Sequence, residues 1–341
     1  MTDPAVSREI YLVRRPEGVP AREHFAIRTS ALPVPVDGEV RVHTLVWGVD
    51  PGLRGRLSPI DSYAPSLALG DVITGFVAGR VLESRDPAFV VGDVVTGSWG
   101  WREYANVPAT QIARAPECGA LPLQALLGAL GIPGVTAYFG MLDVGALKPG
   151  DNVLVTSAAG GVGSIAAQIA KLHGARVVGL AGGQAKCDWL RIAAGVETVI
   201  DYKAQKDLTG AIARCFPNGI DVVFENVGNA MVDAVLPLMA LQGRIVVCGQ
   251  TADYNLPLDA IHGIRNTRSI IGKRLRIQGI LAMDYVARYD EAREALRRWC
   301  EQGQLVTKEQ ITVGIENLPD AFASLFGDAG LGRKLVIADE A

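Results

Sequence analysis

The chain has little that could hold a metal. Its four histidines (His24, His43, His173, His262) show no HxxxH spacing, and its five cysteines (Cys118, Cys187, Cys215, Cys248, Cys300) show no CxxC spacing. Zinc sites draw their ligands from closely spaced pairs, so no metal is expected. The odd number and wide scatter of the cysteines also argue against a disulfide framework and favour a reduced, cytoplasmic protein. No apolar run approaches the ~20 residues of a membrane span. The opening MTDPAVSREIYLV has no apolar signal segment. There is no basic block, and Lys plus Arg (33) nearly balance Asp plus Glu (36), for a net charge of −3. Nucleic acid is therefore not an expected partner. Repeats and low-complexity segments are missing too.

What remains is 341 residues, 49% of them hydrophobic and 20% charged. That is enough chain for two domains and a large core. Up to about residue 120 the sequence reads as short strands separated by Gly, Pro, Asp and Ser, as in VRVHTLVWGVDP, FVAGRVLESRDP and GDVVTGSWGWREYANV. This pattern suits a closed or sandwiched β structure. Val40-Arg41-Val42-His43 alternates, with every second side chain apolar.

From about residue 125 the texture changes. Strands are expected at 153–156, 177–181, 198–201, 221–224, 244–248 and 276–281. Helices are expected at 165–173, 186–194, on to about Arg214, at 231–241 and at 290–303. The tail should hold a further helix and a terminal strand. Apolar strand-length runs alternating with helices imply a parallel sheet covered on both faces.

Between the first of these strands and its helix stands Ala158-x-Gly160-x-x-Gly163. Small residues there let backbone approach a pyrophosphate, and the helix start offers unpaired N–H groups to its charge. The pattern is weak alone but strong inside a βαβ unit. Gly160, Gly161, Val162 and Gly163 are thus candidate cofactor contacts. An NAD site would carry Asp or Glu about twenty residues on. Here the second strand ends in Ala181-Gly182-Gly183, followed by Lys186. Loss of the carboxylate, room at Gly182 and a cation at Lys186 favour a ribose phosphate, hence NADP(H). The other reading of Lys186 is a solvated charge in a helix's first turn. Tyr202 can add a hydroxyl to the same phosphate. Two later strand ends, Glu225-Asn226-Val227-Gly228 and Cys248-Gly249-Gln250-Thr251, should face the same crevice. Cys248 has no adjacent base and reads as a packing residue rather than a nucleophile.

The chain resembles the zinc-free branch of the medium-chain dehydrogenase/reductases: alkenal double-bond reductases, prostaglandin reductases and curcumin-reductase-type proteins. The resemblance rests on WGVDPGLRGRL (47–57), SYAPSLALGDVI (62–73), GWREY (100–104), GIPGVTAYFGM (131–141), SAAGGVGSIAAQIAK (157–171), AGGQAKCDWL (181–190), ENVGNAMVDAVLPLMALQGRIVVCGQTADYN (225–255) and LRIQGILAMDY (275–285). It covers nearly the whole chain.

The resemblance implies an α/β protein with a GroES-like β domain at 1–124, completed by 306–341, and a doubly wound Rossmann domain at 125–305. It implies NADP(H) contacts at 160–163, Lys186, Tyr202, Asn226, the 248–254 loop, Ile280, Leu281, Ala282 and Gly330, and a homodimer joined through the nucleotide domain. The Gly-His-Glu motif and ligand cysteine of zinc-dependent relatives are absent. This chain has Gly52 where family members often carry tyrosine, and Gly330 where they carry a cofactor-touching asparagine.

The implied chemistry is reduction of a carbon–carbon double bond conjugated to a carbonyl, in a small α,β-unsaturated aldehyde or ketone. Hydride goes to the β-carbon and charge moves to the carbonyl oxygen as an enolate. A tyrosine hydroxyl and the cofactor's ribose hydroxyl are then the expected donors. Tyr254 and Tyr63 match tyrosines of the family's site. Each also reads as an anchoring or packing tyrosine. Arg54 and Arg56 read either as favouring an anionic end of the substrate or, as the expected case, as pairing at the surface with Asp50 or Asp61. Two other functions fit the same sequence: a quinone reductase of the zeta-crystallin type, and an NADPH-binding protein without turnover.

Overall fold

The computed structural model describes residues 5–59, 64–327 and 330–339. The first segment contains β1 (Val6–Leu12), β2 (Phe25–Ala31), β3 (Glu39–Gly48), α1 (Leu53–Arg56), β4 (Val77–Ser84), β5 (Val94–Gly97), β6 (Tyr104–Pro108) and β7 (Ile112–Arg114). The pair β1–β2 is a separate antiparallel ladder, which the strand patterns quoted above do not include. β3 is the hub of the larger sheet: it pairs antiparallel with β4 and with β6. Its alternation does not become an inside and an outside face. Arg41 is only 1% exposed, with Nε donating to Asn106 Oδ1 (3.1 Å) and Nη2 to Pro33 O (2.5 Å). A strand with neighbours on both edges and loops over its faces buries its polar side chain by giving it acceptors.

The second segment runs α2 (Ile132–Phe139), β8 (Asn152–Val155), α3 (Gly163–Leu172), β9 (Arg176–Ala181), α4 (Gln184–Ile192), β10 (Thr198–Asp201), α5 (Leu208–Cys215), β11 (Ile220–Glu225), α6 (Asn229–Val235), β12 (Met239–Val247), α7 (Arg268–Lys273), β13 (Arg276–Gly279) and α8 (Tyr289–Glu301). Its six strands are parallel, in the order β10-β9-β8-β11-β12-β13. This is the doubly wound order, whose crevice opens where the direction of winding reverses, between β8 and β11. Val153 and Val155 join one buried cluster and Leu154 the other, so successive residues of β8 fill opposite faces.

The helix expected over 231–241 is shorter. α6 stops at Val235, a single 3-10 turn spans Leu236–Leu238, and the chain enters β12 at Met239. Pro237 explains the difference, because it has no N–H to continue the helix. Met239 then pairs with Ile220.

The tail supplies β14 (Glu309–Val313), α9 (Leu318–Ala323) and β15 (Arg333–Ile337). β15 pairs antiparallel with β3 and parallel with β14, so it joins the first segment's sheet. On its way it touches the second segment: Gly332 N donates to Ala159 O at 2.7 Å, and Gly332 bridges to Gly160. That contact lays the tail across the strand–helix turn at the crevice. Among the described residues, no helix is long and apolar enough to cross a membrane.

Candidate cofactor and active site

After β8 the chain reverses at Ser157, whose φ of 48° lies in the left-handed region uncommon for residues with a side chain. The turn then closes on itself. Ala158 N donates to Leu180 O (2.8 Å), which ties it to β9, and Gly160 N donates to Ser157 O (2.9 Å). A Cβ at Gly163 would lie 2.3 Å from Ser157 O, so only glycine lets α3 start this close to the turn. A Cβ at Gly161 would meet Arg333 Cδ at 3.3 Å and Cα at 3.4 Å, which shows how tightly the tail is laid here. α3 has no side-chain cap. Among the described residues, the amides of Val162 and Gly163 have no acceptor, while the Gly160–Gly332 bridge engages that of Gly161. Uncapped amides at a helix start, with no Cβ in the way, fit a phosphate.

At the end of β9, a Cβ on Gly182 would stand 2.6 Å from both Cζ and the hydroxyl oxygen of Tyr202. The space that Gly182 leaves is therefore filled by Tyr202, not kept open for a phosphate as expected. Gly183 (φ 92°) leads into α4, with Lys186 half-buried in its first turn. The acid missing from β9 has a counterpart on the neighbouring strand. Asp201 is in register with Ala181 and its Oδ1 accepts from Gly183 N (2.9 Å) and Lys203 N (3.0 Å). Those backbone N–H groups hold its carboxyl below the usual range.

The other end of the crevice is made of side chains. Asn226, at the end of β11, donates from its backbone N to Thr156 Oγ1 (2.8 Å) and from Nδ2 to Thr156 O (2.7 Å). Glu225 is fully buried. Its Oε1 accepts from Val227 N (2.6 Å) and Gly228 N (2.8 Å), while Oε2 has no partner among the described residues. Burial pushes its carboxyl up to about 7, against the pull of those donors. Burial, and then the charge of Glu225, push the Cys248 thiol up to about 12. Cys248 is thus a thiol at neutral pH and not a nucleophile.

Beyond β12 the loop folds back on β11. Gly249 N donates to Glu225 O, Thr251 Oγ1 to Asn226 O (3.0 Å), and Gln250 Nε2 to Asn229 Oδ1 (2.8 Å). Asp253 Oδ2 accepts from Asn229 N (2.8 Å). This folding brings Tyr254 over Gly249: a Cβ there would be 3.7 Å from the tyrosine hydroxyl oxygen. Past β13, Ile280 N donates to Val247 O (3.1 Å), and Ile280 and Ala282 are buried with Leu281 half-buried between them.

Two family models match this chain. One, described as the N-terminal domain of oxidoreductase, covers residues 8–115, and the other, described as zinc-binding dehydrogenase, covers 161–299. A putative NADP-dependent oxidoreductase of Bacillus subtilis, YfmJ, is 40% identical over 97% of this chain and 98% of its own. An NADP(+)-dependent 2-alkenal reductase of Nicotiana tabacum is 38% identical over 99% of both chains. The crystal structure of CurA from Vibrio vulnificus in complex with NADPH superposes with a TM-score of 0.90, at 36% identity, covering 98% of this chain and all of the other. The chain belongs to the zinc-free medium-chain dehydrogenase/reductases. Despite the name of the second family model, no group of three His, Cys, Asp or Glu among the described residues could hold a metal ion.

Within this family fold, the Gly160–Gly163 turn, Gly182, Tyr202, Asn226, Val227 and Cys248–Thr251 all follow the C-terminal ends of parallel strands β8 to β12, with Lys186 in the first turn of α4 and Tyr254 in the loop beyond β12. Tyr63 lies outside the described residues. Gly330 (φ 154°) is on the tail, where the stem of Lys334 passes it. Asp61, the other expected arginine partner, also lies outside the described residues, but Arg54 departs from expectation. Arg54 is 8% exposed and does not pair with Asp50. Its Nε donates to Asn255 Oδ1 (2.9 Å) and its Nη2 to Pro16 O (3.2 Å) and Gly18 O (3.2 Å). Asp50 is taken by Arg333, at 2.6 and 3.1 Å. Arg56 bonds Thr74 Oγ1 and Pro65 O.

Sequence reasoning missed Thr156, Asn229 and Asn255, which hold these strand ends and the loop beyond β12. Thr156 could have been found from its place directly after β8. Nothing local marks the others.

Proposed function

We propose that the protein is an NADPH-dependent reductase of carbon–carbon double bonds conjugated to a carbonyl. The observation that carries this reading is its full-length likeness, at 38% identity, to an NADP(+)-dependent 2-alkenal reductase. On this reading residues 125–305 bind the cofactor, while 1–124 and 306–341 complete the substrate side.

The amides of Val162 and Gly163, at the turn that Gly160 and Gly161 keep free of side chains, would take the pyrophosphate, and Lys186 and Tyr202 the ribose phosphate. Asn226, Val227, the 248–251 strand end and Ile280, Leu281 and Ala282 would line the nicotinamide half. NADPH, when bound, supplies a hydride to the substrate's β-carbon. Tyr254 then faces the charge that gathers on the carbonyl oxygen. A phenol with an ordinary pKa near 10 is protonated at neutral pH and can donate to that oxygen. Its place over Gly249, in the loop that Arg54 ties to the first segment through Asn255, supports this role. The same hydroxyl, or water, returns a proton to the α-carbon.

The outer strand β13 pairs only with β12 among the described residues, and its Arg276, Gln278 and Gly279 are exposed. An uncovered edge of this kind supports a homodimer joined through the nucleotide units.

The test is NADPH consumption with a panel of alkenals and alkenones beside a small quinone. Alkenone turnover should exceed quinone turnover and should persist in EDTA. NADPH binding without turnover of any alkenone, or turnover of the quinone alone, would overturn the reading.

A further inference from the structure

Lys334 lies in β15 and is 8% exposed. Its ammonium donates to Ser324 Oγ at 2.5 Å, and among the described residues no carboxylate pairs with it. Its chain neighbour Arg333 is neutralised by Asp50. A buried ammonium without a counter-ion is unfavourable, and such groups are normally paired or hydrogen-bonded.

Where this ammonium lies is informative. β15 begins directly after Gly332, the residue that bridges to Gly160 and donates to Ala159 in the cofactor turn. The Lys334 stem passes Gly330, where an added Cβ would be 3.6 Å from Cε. Burial, and after it the charge of Lys186, hold the Lys334 ammonium below the usual lysine range. Lys186 stands in the first turn of α4, just past Gly182. The tail and α4 therefore bring two cations into one field near a turn whose Val162 and Gly163 amides have no acceptor among the described residues. A like charge disfavours the charged form of Lys334, and an anion beside this ammonium would relieve that cost. The phosphates of a dinucleotide are such an anion.

We propose that Lys334 is a second cation for the phosphates of the bound dinucleotide, acting with Lys186 and held in position by Ser324. This rests on the NADPH reading above.

Quenching or fluorescence titration with NADPH and with NADH would test it, on wild type, Lys334→Gln, Lys334→Arg and Ser324→Ala. Lys334→Gln should weaken NADPH binding by about ten- to a hundred-fold, the range for a charge-assisted contact. The kcat at saturating NADPH should change by less than about two-fold. Lys334→Arg should restore most of the affinity, and Ser324→Ala should weaken binding by a few-fold. Equal losses for NADPH and NADH place Lys334 at the pyrophosphate, and a loss confined to NADPH places it at the ribose phosphate. If Lys334→Gln folds poorly, Ser324→Ala decides, and unchanged NADPH affinity there overturns the proposal. Unchanged affinity in Lys334→Gln, or a loss that Lys334→Arg fails to restore, overturns it as well. Wild-type protein that binds neither nucleotide would instead sink the cofactor reading and this proposal together.

Discussion

At the 157–163 turn the crevice presents backbone and at the 225–255 end it presents side chains. The turn is marked by what is missing: no Cβ at Gly163, no side-chain cap on α3, no acceptor for the Val162 and Gly163 amides among the described residues. Cations then arrive from the rim, from α4 and from the tail. The other end works through what is packed in. Glu225 is buried with one oxygen orphaned, Asn226 is clamped to Thr156, and Tyr254 is set over Gly249 by a loop folded onto β11. A backbone site can accept a fixed ligand group such as phosphate with few side chains, and its charge contacts are separable. A side-chain site couples its members, so one change is felt by several.

The largest expected effect is at the side-chain end. Tyr254→Phe should lower kcat by about a hundred-fold or more, the range for loss of one donor to a developing oxyanion, with NADPH affinity little changed. Steady-state turnover of an alkenone measures it, and an unaltered kcat would remove Tyr254 from the chemistry and dissolve the contrast between the two ends.

Glu225 gives the next. Its value of about 7 in the folded protein lies above the ordinary 4.5, so the folded state keeps a proton that the unfolded chain has released. The contribution of this group to stability is therefore whole below about pH 4.5 and falls as pH rises through about 7, by about 3 kcal/mol. Glu225→Gln should flatten that slope in denaturant midpoints taken across the interval. Parallel slopes for the two proteins would mean that the carboxyl is solvated after all.

The smallest of the three belongs to the phosphate end. Lys186→Ala should raise KM for NADPH by about ten- to a hundred-fold and leave that for NADH nearly unaffected. Equal effects on both cofactors would show that Lys186 does not read the ribose phosphate.

The strand–turn–helix at 153–172 was largely legible in advance. Ala158, Gly160 and Gly163 stand in one short stretch, and a strand–turn–helix of small residues has one main physical purpose. What could not be read was the partner of each gap. Gly182 is small because Tyr202 lies against it, and Asp201, on the next strand over, holds the N–H of Gly183. The side-chain end was legible as a list of strand ends but not as a network. Arg54 meets Asn255 across 201 residues, and Arg333 takes Asp50 across 283. The surface pairing expected for Arg54 failed for that reason.

The amino-acid sequence alone determined the parallel sheet, the order of its strands and helices, and the small-residue turn. Each follows from periodicity and from backbone geometry within a few residues, where φ, ψ and the presence of a Cβ decide the outcome. The tertiary structure decided that the tail crosses the turn, that Lys334 shares a field with Lys186, that Tyr254 lies over Gly249, and that Glu225 is sealed from water. Those depend on sheet register and on the return path of the last strand, and charge and burial act through distance in space, which spacing along the chain does not encode.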